Sequence, residues 1–506
     1  MAIIDSLLDK GILLSPELIE DKESLDLLES ADPSIFEGVD VIDHDFIKKN
    51  IIERKREEHK DYEIIFSYEK KPKKISLNDF VSYFNRRFEG LSKYLRQRVE
   101  FQGATSIARI KSKNDRDRVA LIGLVYEKNF TKKNNLILTL EDPTGTINVI
   151  VSQDREEVYA AAKEAMLDEV IGIEGSISNK DGSSPAIFAN QFFVPDVPSV
   201  KELKKGPVEE YAIFLGDLHF GSNVFLKKPF EDFLAWISGE KGSAEQKRIA
   251  SKVKYILCTG DLVEGVGVYP GQEEDLEIND IKEQYDLFAE YLKKIPNHIR
   301  IFIIPGNHDA GRLSEPQQPI RHEYAKSLQT IPNVVLLSNP SIVRIGIRED
   351  FPGFDVLIYH GYSMIYYANN IESIRNAGGQ KRPDLIMKYL LQRRHLAPSH
   401  TSNLYIPDTD EDPMILKHIP DFFVTGHIHR VSVGQYKNIT LLNCSCWTDV
   451  TEDQEKRGLE PQPGKLPIVN LKTREVKIIN LLKEPKKKEG EDADDKENEL
   501  NEGKSE

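Results

Sequence analysis

Five short polar motifs carry the side chains of this 506-residue chain that are best suited to chemistry. In chain order they are Asp217-Leu218-His219, Gly260-Asp261, Gly306-Asn307-His308-Asp309, His360-Gly361 and Gly426-His427-Ile428-His429. Carboxylates, a carboxamide and imidazoles are all metal-ligand groups, and their number exceeds what one tetrahedral zinc ion takes. The set suits two adjacent ions, about 3.5–4 Å apart and bridged by one carboxylate, which polarise a phosphoryl group and provide hydroxide near neutral pH.

The donor types also indicate which ions the motifs suit. Mixed nitrogen and oxygen ligands with a carboxamide fit Mn²⁺, Fe²⁺ or Zn²⁺ better than the all-oxygen shell that Mg²⁺ prefers. We therefore expect two divalent ions as cofactors, with Mn²⁺ preferred and Mg²⁺, Fe²⁺ or Zn²⁺ as alternatives. The histidines outside the motifs are expected to be ordinary surface or core residues: His44, His59, His298, His322, His395, His400 and His418.

Each motif follows a short apolar run, as expected if each lies at the end of its own strand. The runs are YAIFLGD, YILCTGD, IRIFIIPGNHD, FDVLIYHG and FFVTGHIH, and amphipathic segments such as FEDFLAWI and IKEQYDLFAEYLKKI lie between them. This alternation predicts a layered α/β domain over residues 208–482. Because ligands bind beyond the carboxyl ends of strands in open α/β sheets, motifs that are distant in sequence can meet in one cleft.

Residues 76–200 predict a helix followed by an OB-fold barrel. Three strand patterns (RVALIGLVYE, NNLILTLED, TINVIVS), a helix (REEVYAAAKEAML) and two more strands (EVIGIEGSIS, PAIFANQFFV) follow the OB-fold order. OB folds often bind single strands through aromatic and basic side chains. The candidates here are Tyr126, Phe130, Phe188, Phe192 and Phe193, with Lys128, Lys132 and Lys133 in the first strand-to-strand loop. Nucleic-acid binding and a purely structural role both stay open.

A helix over residues 76–98, capped by Ser76 or Asn78, precedes the barrel. Its apolar residues recur at helical spacing, and its other face is basic, with Arg86, Arg87, Lys93, Arg96 and Arg98. We interpret that face as solvent-exposed, with DNA contact as the alternative.

The remaining segments are short. Residues 1–50 predict a small helical region, with Ser15-Pro16 as a helix start. Residues 51–75 are heavily charged and predict a flexible linker. Residues 483–506 predict a disordered charged tail.

Composition limits the classes of protein. The net charge of −15 argues against general nucleic-acid binding, which needs clustered Lys and Arg, but it does not exclude a local basic patch. No apolar run reaches the roughly 18 residues of a membrane span, and no secretory signal is evident. Cys258, Cys444 and Cys446 are too few for a disulfide framework and are expected in the core. We therefore expect a cytoplasmic protein with no membrane partner.

The five motifs resemble the signature of the calcineurin-like metallophosphoesterase superfamily, which reads D-x-H, GD, GNHD/E, H and GHxH. The resemblance covers about residues 210–450 and implies a layered β-sandwich flanked by helices. It implies that His308 protonates the leaving oxygen or stabilises charge, and that Asp309 orients His308. It also implies two ligand sets that share one carboxylate: Asp217, His219, Asp261 and His429 for one metal, and Asp261, Asn307, His360 and His427 for the other.

An OB barrel directly before such a domain is the layout of the small (B) subunits of replicative DNA polymerases. Four segments are similar to the small-subunit family of archaeal family-D DNA polymerases: RRHLAPSH, PDFFVTGHIH, HEYAKSLQTIPNVVLLSNP and LNDFVSYFNRRF. This resemblance spans about residues 75–480. It implies a metal-dependent 3′→5′ exonuclease that proofreads DNA 3′ ends and supports a separate large catalytic subunit.

Other functions remain open at this point. The chain could be a catalytically silent scaffold, a phosphoprotein phosphatase or an Mre-type repair nuclease, although the last normally begins with the phosphoesterase domain. No polymerase-type carboxylate motif stands out, so synthesis is expected from a partner. Candidate DNA contacts near the motifs, each of which could instead be solvated or bind a partner, are Arg312, Lys381, Arg382, Arg393, Arg394 and Arg430.

Overall fold

A closed barrel and two packed sheets make up most of the chain. The computed structural model describes residues 4, 7–8, 11–19, 21–29, 31, 33–36, 39–53, 61–71, 73–180, 184–199, 201–408, 410–450 and 458–482. The predicted tail over residues 483–506, His59 and the rest of residues 54–60 of the predicted linker lie outside the described residues.

The N-terminal region contains short helices around a small core. Its elements are β1 (Leu13–Leu14), α1 (Pro16–Ile19), α2 (Lys22–Glu29), a 3₁₀ turn (Pro33–Phe36), β2 (Val41–Ile42), α3 (His44–Ile47) and a π-helical turn (Lys48–Glu53). Strand β1 pairs in parallel with β2. Helices this short are unstable alone. They depend on shared burial of Leu18, Leu28, Ile42, Ile47 and Ile51.

Part of the predicted linker is a strand, so that prediction is wrong for residues 62–67. Strand β3 (Tyr62–Ser67) pairs antiparallel with Ser341–Ile345 of the α/β region. Tyr62 packs against the core between the two large sheets, and Ile65 and Phe66 pack against the core outside one of them. The charged residues around this stretch dominate its composition and conceal a half-buried edge strand.

The predicted helix over residues 76–98 is present as α4 (Leu77–Arg96). The Ser76 backbone N–H donates to the Asp79 carboxylate at 2.6 Å, which stabilises the first turn. Arg86 lies on the exposed face, as predicted, but Arg87 does not. Arg87 is 2% exposed, and its Nε lies 2.8 Å from Asp412 Oδ2.

The barrel has the predicted order of strands and helix. A 3₁₀ turn (Val99–Phe101) and α5 (Ile107–Lys111) lead into it. Its elements are β4 (Arg118–Phe130), β5 (Leu136–Asp142), β6 (Gly145–Val151), α6 (Glu156–Lys163), β7 (Val170–Ser178) and β8 (Ala186–Phe193). The strands close in the order β4-β5-β6-β8-β7. Lys128 is not in a loop: it lies in β4, and its Nζ donates to the Ala165 carbonyl at 2.9 Å.

Two six-stranded sheets follow the barrel. Their strands in the chain are β9 (Tyr211–Leu215), β10 (Val253–Cys258), β11 (Arg300–Ile303), β12 (Val334–Leu336), β13 (Ser341–Ile345), β14 (Phe354–Tyr359), β15 (Phe422–Thr425), β16 (Ser432–Tyr436), β17 (Ile439–Asn443), β18 (Lys465–Asn470) and β19 (Val476–Asn480). The first sheet has the order β12-β11-β10-β9-β18-β19, and the second has the order β16-β17-β15-β14-β13-β3. Within them, β9 to β12 are parallel neighbours, and so are β14, β15 and β17.

The sheets pack face to face with helices on both outer faces. Phe214, Leu257, Phe302, Val356 and Val424 belong to the core between the sheets. Helices α7 (Lys227–Ile237), α8 (Ala244–Ala250), α9 (Ile281–Leu292) and α10 (Lys326–Gln329) accompany the first sheet. Helices α11 (Met364–Asn370), α12 (Glu372–Asn376) and α13 (Pro383–Arg393) cover the second. Two 3₁₀ turns, Gln272–Asp275 and Gly379–Lys381, complete the described elements.

The segment RRHLAPSH joins the barrel to the second sheet, so two predicted DNA contacts are wrong. Arg393 Nε lies 3.0 Å from Glu169 Oε2 of the barrel, and both side chains are buried. Arg394 is 5% exposed, donates to the Leu416 carbonyl at 3.1 Å and stacks over Tyr94 of α4. Neither guanidinium is available to a phosphate backbone.

Two further expectations concern thiols and membranes. Cys258, Cys444 and Cys446 are all buried and unpaired, which confirms them as core residues. Among the described helices, none combines the length and apolarity that crossing a bilayer requires.

Adjacent arginines on α4 provide a matched test of the buried ion pair. Arg87→Ala should lower the free energy of unfolding by about 3–5 kcal/mol, because it leaves Asp412 buried without its guanidinium. Arg86→Ala removes only an exposed pair with Glu89 and should have little effect. Urea unfolding followed by tryptophan fluorescence measures both, and equal unfolding midpoints would contradict the buried pair.

Candidate metal centre

The five motifs lie together because their strands end at one shared edge. Asp217, Asp261 and Asn307 follow the parallel strands β9, β10 and β11 of the first sheet. His360 and His427 follow the parallel strands β14 and β15 of the second. Packing the sheets face to face brings these carboxyl ends together, as the sequence predicts.

Five motif residues have left-handed backbone conformations. Their φ angles are 52° for Asp217, 53° for His219, 49° for Asp261, 68° for His427 and 56° for His429. Each such residue other than glycine costs roughly 1–2 kcal/mol. Strain of this kind persists where surrounding structure over-determines it, and it clusters at functional sites. The strain therefore marks this edge as a site independently of the motif pattern.

Glycines next to the ligands permit close approach of the loops. A Cβ on Gly306 would lie 2.1 Å from Asp261 Oδ1, and one on Gly426 would lie 2.8 Å from Asp217 Oδ2. Gly260, with φ of 96°, abuts the Gly306 backbone. The glycines of the motifs are thus required by space around the two carboxylates.

The donor atoms form two adjacent clusters. Asp217, His219 and His429 offer ligand atoms within 4.8 Å of one another, and so do Asp261, His360 and His427. His219 Nε2 lies 3.3 Å from His429 Nε2 and 4.0 Å from Asp261 Oδ2. Asp261 therefore lies between the clusters, in the position of a shared carboxylate.

Hydrogen bonds direct imidazole lone pairs into the clusters. His360 Nδ1 lies 2.9 Å from the Thr259 carbonyl, which can only accept, so Nδ1 carries a proton. Its Nε2 then faces Asn307 Oδ1 at 2.8 Å and Asp261 Oδ2 at 3.4 Å. In neutral His360 these are three lone-pair atoms facing one another in a buried space, and a cation among them, or a proton on Nε2, offsets their repulsion. This donor set fits a divalent cation.

His308 is held beside the clusters by a residue that the sequence analysis missed. Its Nδ1 lies 2.8 Å from the Glu264 backbone carbonyl and 3.7 Å from Glu264 Oε1. Glu264 Oε2 is also 2.9 Å from His219 Nδ1. The signal for Glu264 was its place three residues after Asp261 in Gly-Asp-Leu-Val-Glu.

The Asp309 carboxylate has no hydrogen bond to the His308 imidazole among the described residues, and its expected role in orienting His308 stays a prediction. Its carboxylate turns under the loop and accepts the Gly306 N–H at 2.8 Å and the Leu262 N–H at 3.2 Å. Tyr285 donates to it at 2.9 Å. Asp309 therefore fixes the loop that carries Asn307 and His308.

The pKa values of the ligands are shifted because their ionisable groups are buried close to one another. Burial disfavours charge on His360 and His219, but Asp261 raises the pKa of His360 to about 10 and Glu264 raises the pKa of His219 to about 9. Burial raises the pKa of Asp217 to about 7 and lowers the pKa of His427 to about 3. These opposed shifts follow from burying carboxylates and imidazoles side by side.

A buried polar network supports the cluster from behind, and no motif in the sequence pointed to it. Asn339 Oδ1 accepts the His360 N–H at 2.9 Å, and its amide donates to Gln317 Oε1 at 2.7 Å. Gln317 in turn donates to the Gly306 carbonyl at 2.8 Å. Glu315, whose pKa burial raises to about 7, accepts from Tyr359 at 3.0 Å. Two motifs on different sheets are thereby fixed to each other.

The other candidate nucleic-acid contacts have partners within the chain. Arg312 donates to the Pro316 carbonyl at 3.0 Å, and Arg382 Nη2 lies 2.8 Å from Asp384. Lys381 and Arg430 both approach Glu460, at 2.5 and 3.4 Å. On the barrel, Tyr126, Phe130 and Phe188 are exposed, whereas Phe192 and Phe193 pack against cores. Contact of any of these with DNA stays a prediction.

Comparison with known proteins places the two regions in families. A family model for the B subunits of DNA polymerases alpha and epsilon matches residues 212–432, and one described as an OB-fold nucleic acid binding domain matches residues 119–195. The second match confirms the OB-fold barrel. Neither match covers the N-terminal region.

Curated relatives decide the family. The DNA polymerase II small subunit of Methanothermobacter thermautotrophicus is 36% identical over 78% of each chain. That of Archaeoglobus fulgidus is 37% identical over 78% of this chain and 75% of its own. That of Thermoplasma acidophilum is 35% identical over 92% of this chain and 90% of its own. The chain belongs to the archaeal DNA polymerase II small-subunit family.

Membership confirms the resemblance drawn from the sequence. The match with the Thermoplasma member of the small-subunit family extends over nearly the whole chain. The match over residues 212–432 includes all five motifs. The residues of both donor clusters therefore lie within the region that matches the polymerase B-subunit family model.

A glycine substitution tests the spatial requirement at the clusters. Gly306→Ala should weaken binding of Mn²⁺ at least tenfold, because the added Cβ displaces Asp261. Gly103→Ala is the control, since a Cβ there meets nothing within 4 Å. Isothermal titration calorimetry of both variants measures the effect. Equal affinity in the two variants would contradict the arrangement.

Proposed function

We propose that the chain is the small subunit of an archaeal replicative DNA polymerase and acts as a metal-dependent 3′→5′ exonuclease at DNA 3′ ends. Its α/β region is then a calcineurin-like metallophosphoesterase domain. The observation that carries the proposal is the pair of donor clusters around Asp261 with His308 beside them. Membership of the polymerase small-subunit family supports DNA as the substrate.

Two divalent ions are proposed as cofactors, with Mn²⁺ preferred over Mg²⁺, Fe²⁺ or Zn²⁺. One would be held by Asp217, His219, Asp261 and His429, and the other by Asp261, Asn307, His360 and His427. The lone pair of His360 that Thr259 directs towards Asn307 and Asp261 supports this division. Bound there, the ions would neutralise phosphoryl oxygens and supply a nucleophile near neutral pH.

His308 is proposed to protonate the leaving oxygen. Because its Nδ1 donates to the Glu264 carbonyl, the second proton of the imidazolium must reside on Nε2. The Glu264 carboxylate lies 3.7 Å from Nδ1. When the terminal phosphodiester breaks, the 3′ oxygen of the preceding nucleotide takes this proton, and the terminal nucleotide leaves as its 5′-monophosphate. His308 is 17% exposed, whereas His360 is fully buried, so His308 lies on the side open to substrate.

A scaffold role is a second proposed function, compatible with the first. The buried pairs Arg393–Glu169 and Arg87–Asp412 fix the barrel and α4 to the α/β region. A rigid platform of this kind suits binding to the large catalytic subunit, the partner implied by the names of the relatives. Replacing metal ligands should then spare assembly.

Asp261→Asn should abolish metal-dependent degradation of DNA while leaving the fold intact. The variant removes the shared carboxylate charge but keeps its shape. The measurement is stepwise shortening of a mismatched, 3′-recessed primer with Mn²⁺, with and without chelator, alone and with the large subunit. Asp286→Asn, an exposed carboxylate on α9, is the matched control and should be fully active.

The same assay separates the rival functions. Degradation that survives in Asp261→Asn would contradict the assigned site. No degradation by the wild-type complex, with normal assembly, would favour the scaffold alone. Hydrolysis of phosphoprotein without DNA degradation would favour a phosphatase, and internal cleavage of DNA would favour a repair nuclease.

A sulfur-substituted substrate tests the proton donor. His308→Ala should lower kcat by about 10²–10⁴-fold on ordinary DNA. A primer whose terminal linkage carries a bridging 3′ sulfur should restore most of that loss, because a thiolate leaves without a proton. Asp261→Asn, measured alongside, should not be rescued. Equal loss on both substrates would exclude proton donation by His308.

A further inference from the structure

A groove with many cationic side chains begins beside the loop that carries His308. It has a volume of about 560 Å³ and runs between the segment after β3, the loop after Asp309 and the residues around Pro407. Its cationic side chains are Lys70, Lys71, Lys73, Arg312 and Arg321. Among the described residues that line it, two are carboxylates, Asp408 and Asp410. This local excess of positive charge contrasts with the net charge of −15 for the chain.

The carboxylates of the groove are already engaged by one lysine. Lys70 Nζ lies 2.7 Å from Asp408 and 2.9 Å from Asp410. Of the other cations, Lys73 and Arg321 have exposed carboxylate partners, and Arg312 donates to the Pro316 carbonyl. The exposed pairs Lys73–Asp79 and Arg321–Glu323, at 3.3 and 3.2 Å, are of the weak surface kind that a phosphate can displace.

Two tyrosine rings lie among these cations. Tyr68 is 6% exposed: it lies under the Arg312 guanidinium, 5.5 Å from its ring centre, and donates to Asp408 at 3.2 Å, so it positions Arg312 and is not open to a base. Tyr324 lines the same groove and is half-buried. A positive groove with an aromatic ring in its wall is an arrangement by which proteins hold single strands, with phosphates on the cations and a base on the ring. Tyr324 is the ring that a base could contact here.

The groove is connected to the metal centre through one side chain. Gln317 donates to the Gly306 carbonyl at 2.8 Å and to the Arg312 carbonyl at 3.1 Å. Arg312 follows His308 by four residues, so their Cα atoms are at most about 15 Å apart. Gly306 itself abuts Asp261. A strand lying in the groove would therefore have its end close to the donor clusters.

We infer that this groove binds the single-stranded 3′ segment of DNA and delivers its end to the metal centre. The inference rests on the proposed exonuclease function for the direction of the strand, but the binding itself can be measured without hydrolysis. It assigns DNA contact to Lys71, Lys73 and Arg321, none of which the sequence analysis selected. Arg312, a candidate DNA contact from the sequence, also lines this groove.

Removing two exposed groove lysines should weaken single-strand binding. In the full chain carrying Asp261→Asn, Lys71→Ala with Lys73→Ala should raise the Kd for a labelled oligothymidine about tenfold at low salt. The salt dependence should also become shallower, by about 1.4 in the slope of log Kd against log salt concentration. Fluorescence anisotropy measures both quantities, and Arg321→Ala should act in the same direction.

The control removes two lysines at the far edge of the first sheet. Lys472 and Lys477 lie on the β18–β19 hairpin, whereas the groove is lined by residues that follow β3 and β11. Lys477 also has an exposed partner, Glu475 at 3.9 Å, so the two pairs of substitutions are comparable. Lys472→Ala with Lys477→Ala should leave Kd and slope unchanged. Equal effects of the two double variants, or none from either, would overturn the groove.

Crosslinking tests where the strand lies. The three native cysteines are buried, so a cysteine introduced by Lys71→Cys can be labelled selectively with a photoreactive group. It should crosslink to nucleotides near the 3′ end of an oligonucleotide, and Lys477→Cys should not. Crosslinks confined to the 5′ end would overturn the inference.

The outcomes also separate this inference from the proposed function. Weaker DNA binding in the groove variants, with no hydrolysis by the wild type, would support the groove and reject the nuclease. Normal DNA binding in variants that lose the large subunit would show a protein-binding groove and overturn the inference, while leaving the nuclease untouched.

Discussion

One carboxylate, Asp261, connects four of the five motifs, and the rest of the site depends on its position. Its backbone carbonyl accepts the Leu218 and His219 N–H groups at 2.7 and 3.0 Å. Its side chain accepts the His308 N–H at 2.9 Å and faces His360 Nε2 at 3.4 Å. The fifth motif depends on Asp217 in the same way, since both of its oxygens lie 2.9 Å from the His427 N–H. The motif loops must pack closely around Asp217 and Asp261. The left-handed backbone conformations and the glycines of the motifs allow this close approach.

The sequence was sufficient to predict this convergence but not the groups that support it. Metal-ligand types at the ends of apolar runs leave few arrangements in an α/β sheet, and Asp217, Asp261 and His360 lie where that reasoning expects. The partners Thr259 and Asn339 could not be found in this way, because they become neighbours of His360 only after the strands have paired and the sheets have packed. Glu264 follows Asp261 by three residues, but a single glutamate at that spacing belongs to none of the five motifs. The resemblance implied that Asp309 orients His308. Its carboxylate lies under the loop, where it accepts the Gly306 N–H, so any such effect acts through the backbone.

Strands and helices were predictable where burial alone sets the pattern. The barrel strands and α4 alternate or recur at the period of their structure, so their positions follow from the residues. The position of strand β3 could not be predicted in this way, because an edge strand buries few side chains and charged neighbours conceal its pattern. Charged residues were the main source of error: Arg87, Arg393 and Lys128 were all expected at surfaces or loops. The sequence around an arginine does not show whether its guanidinium faces solvent or pairs with a buried carboxylate. For Arg87 and Arg393 the outcome depends on where Asp412 and Glu169 lie in the folded chain.

The buried arginines count towards the net charge of the chain but add little positive charge to its surface. Arg87, Arg393 and Arg394 are used to join α4, the barrel and the second sheet, so they contribute no accessible positive field. The surface that remains is acidic overall and repels a phosphate backbone at most positions. Under that condition a short run of exposed lysines beside the loop of His308 has more influence than its size suggests, because a polyanion is repelled elsewhere and attracted there. A second cationic pocket, lined by Arg375, Lys381 and Arg430, adjoins Ile428 between His427 and His429, but Lys381 and Arg430 there share Glu460. The proposed groove is therefore one of two described cationic approaches to the donor clusters, and the one whose cations share fewer carboxylates.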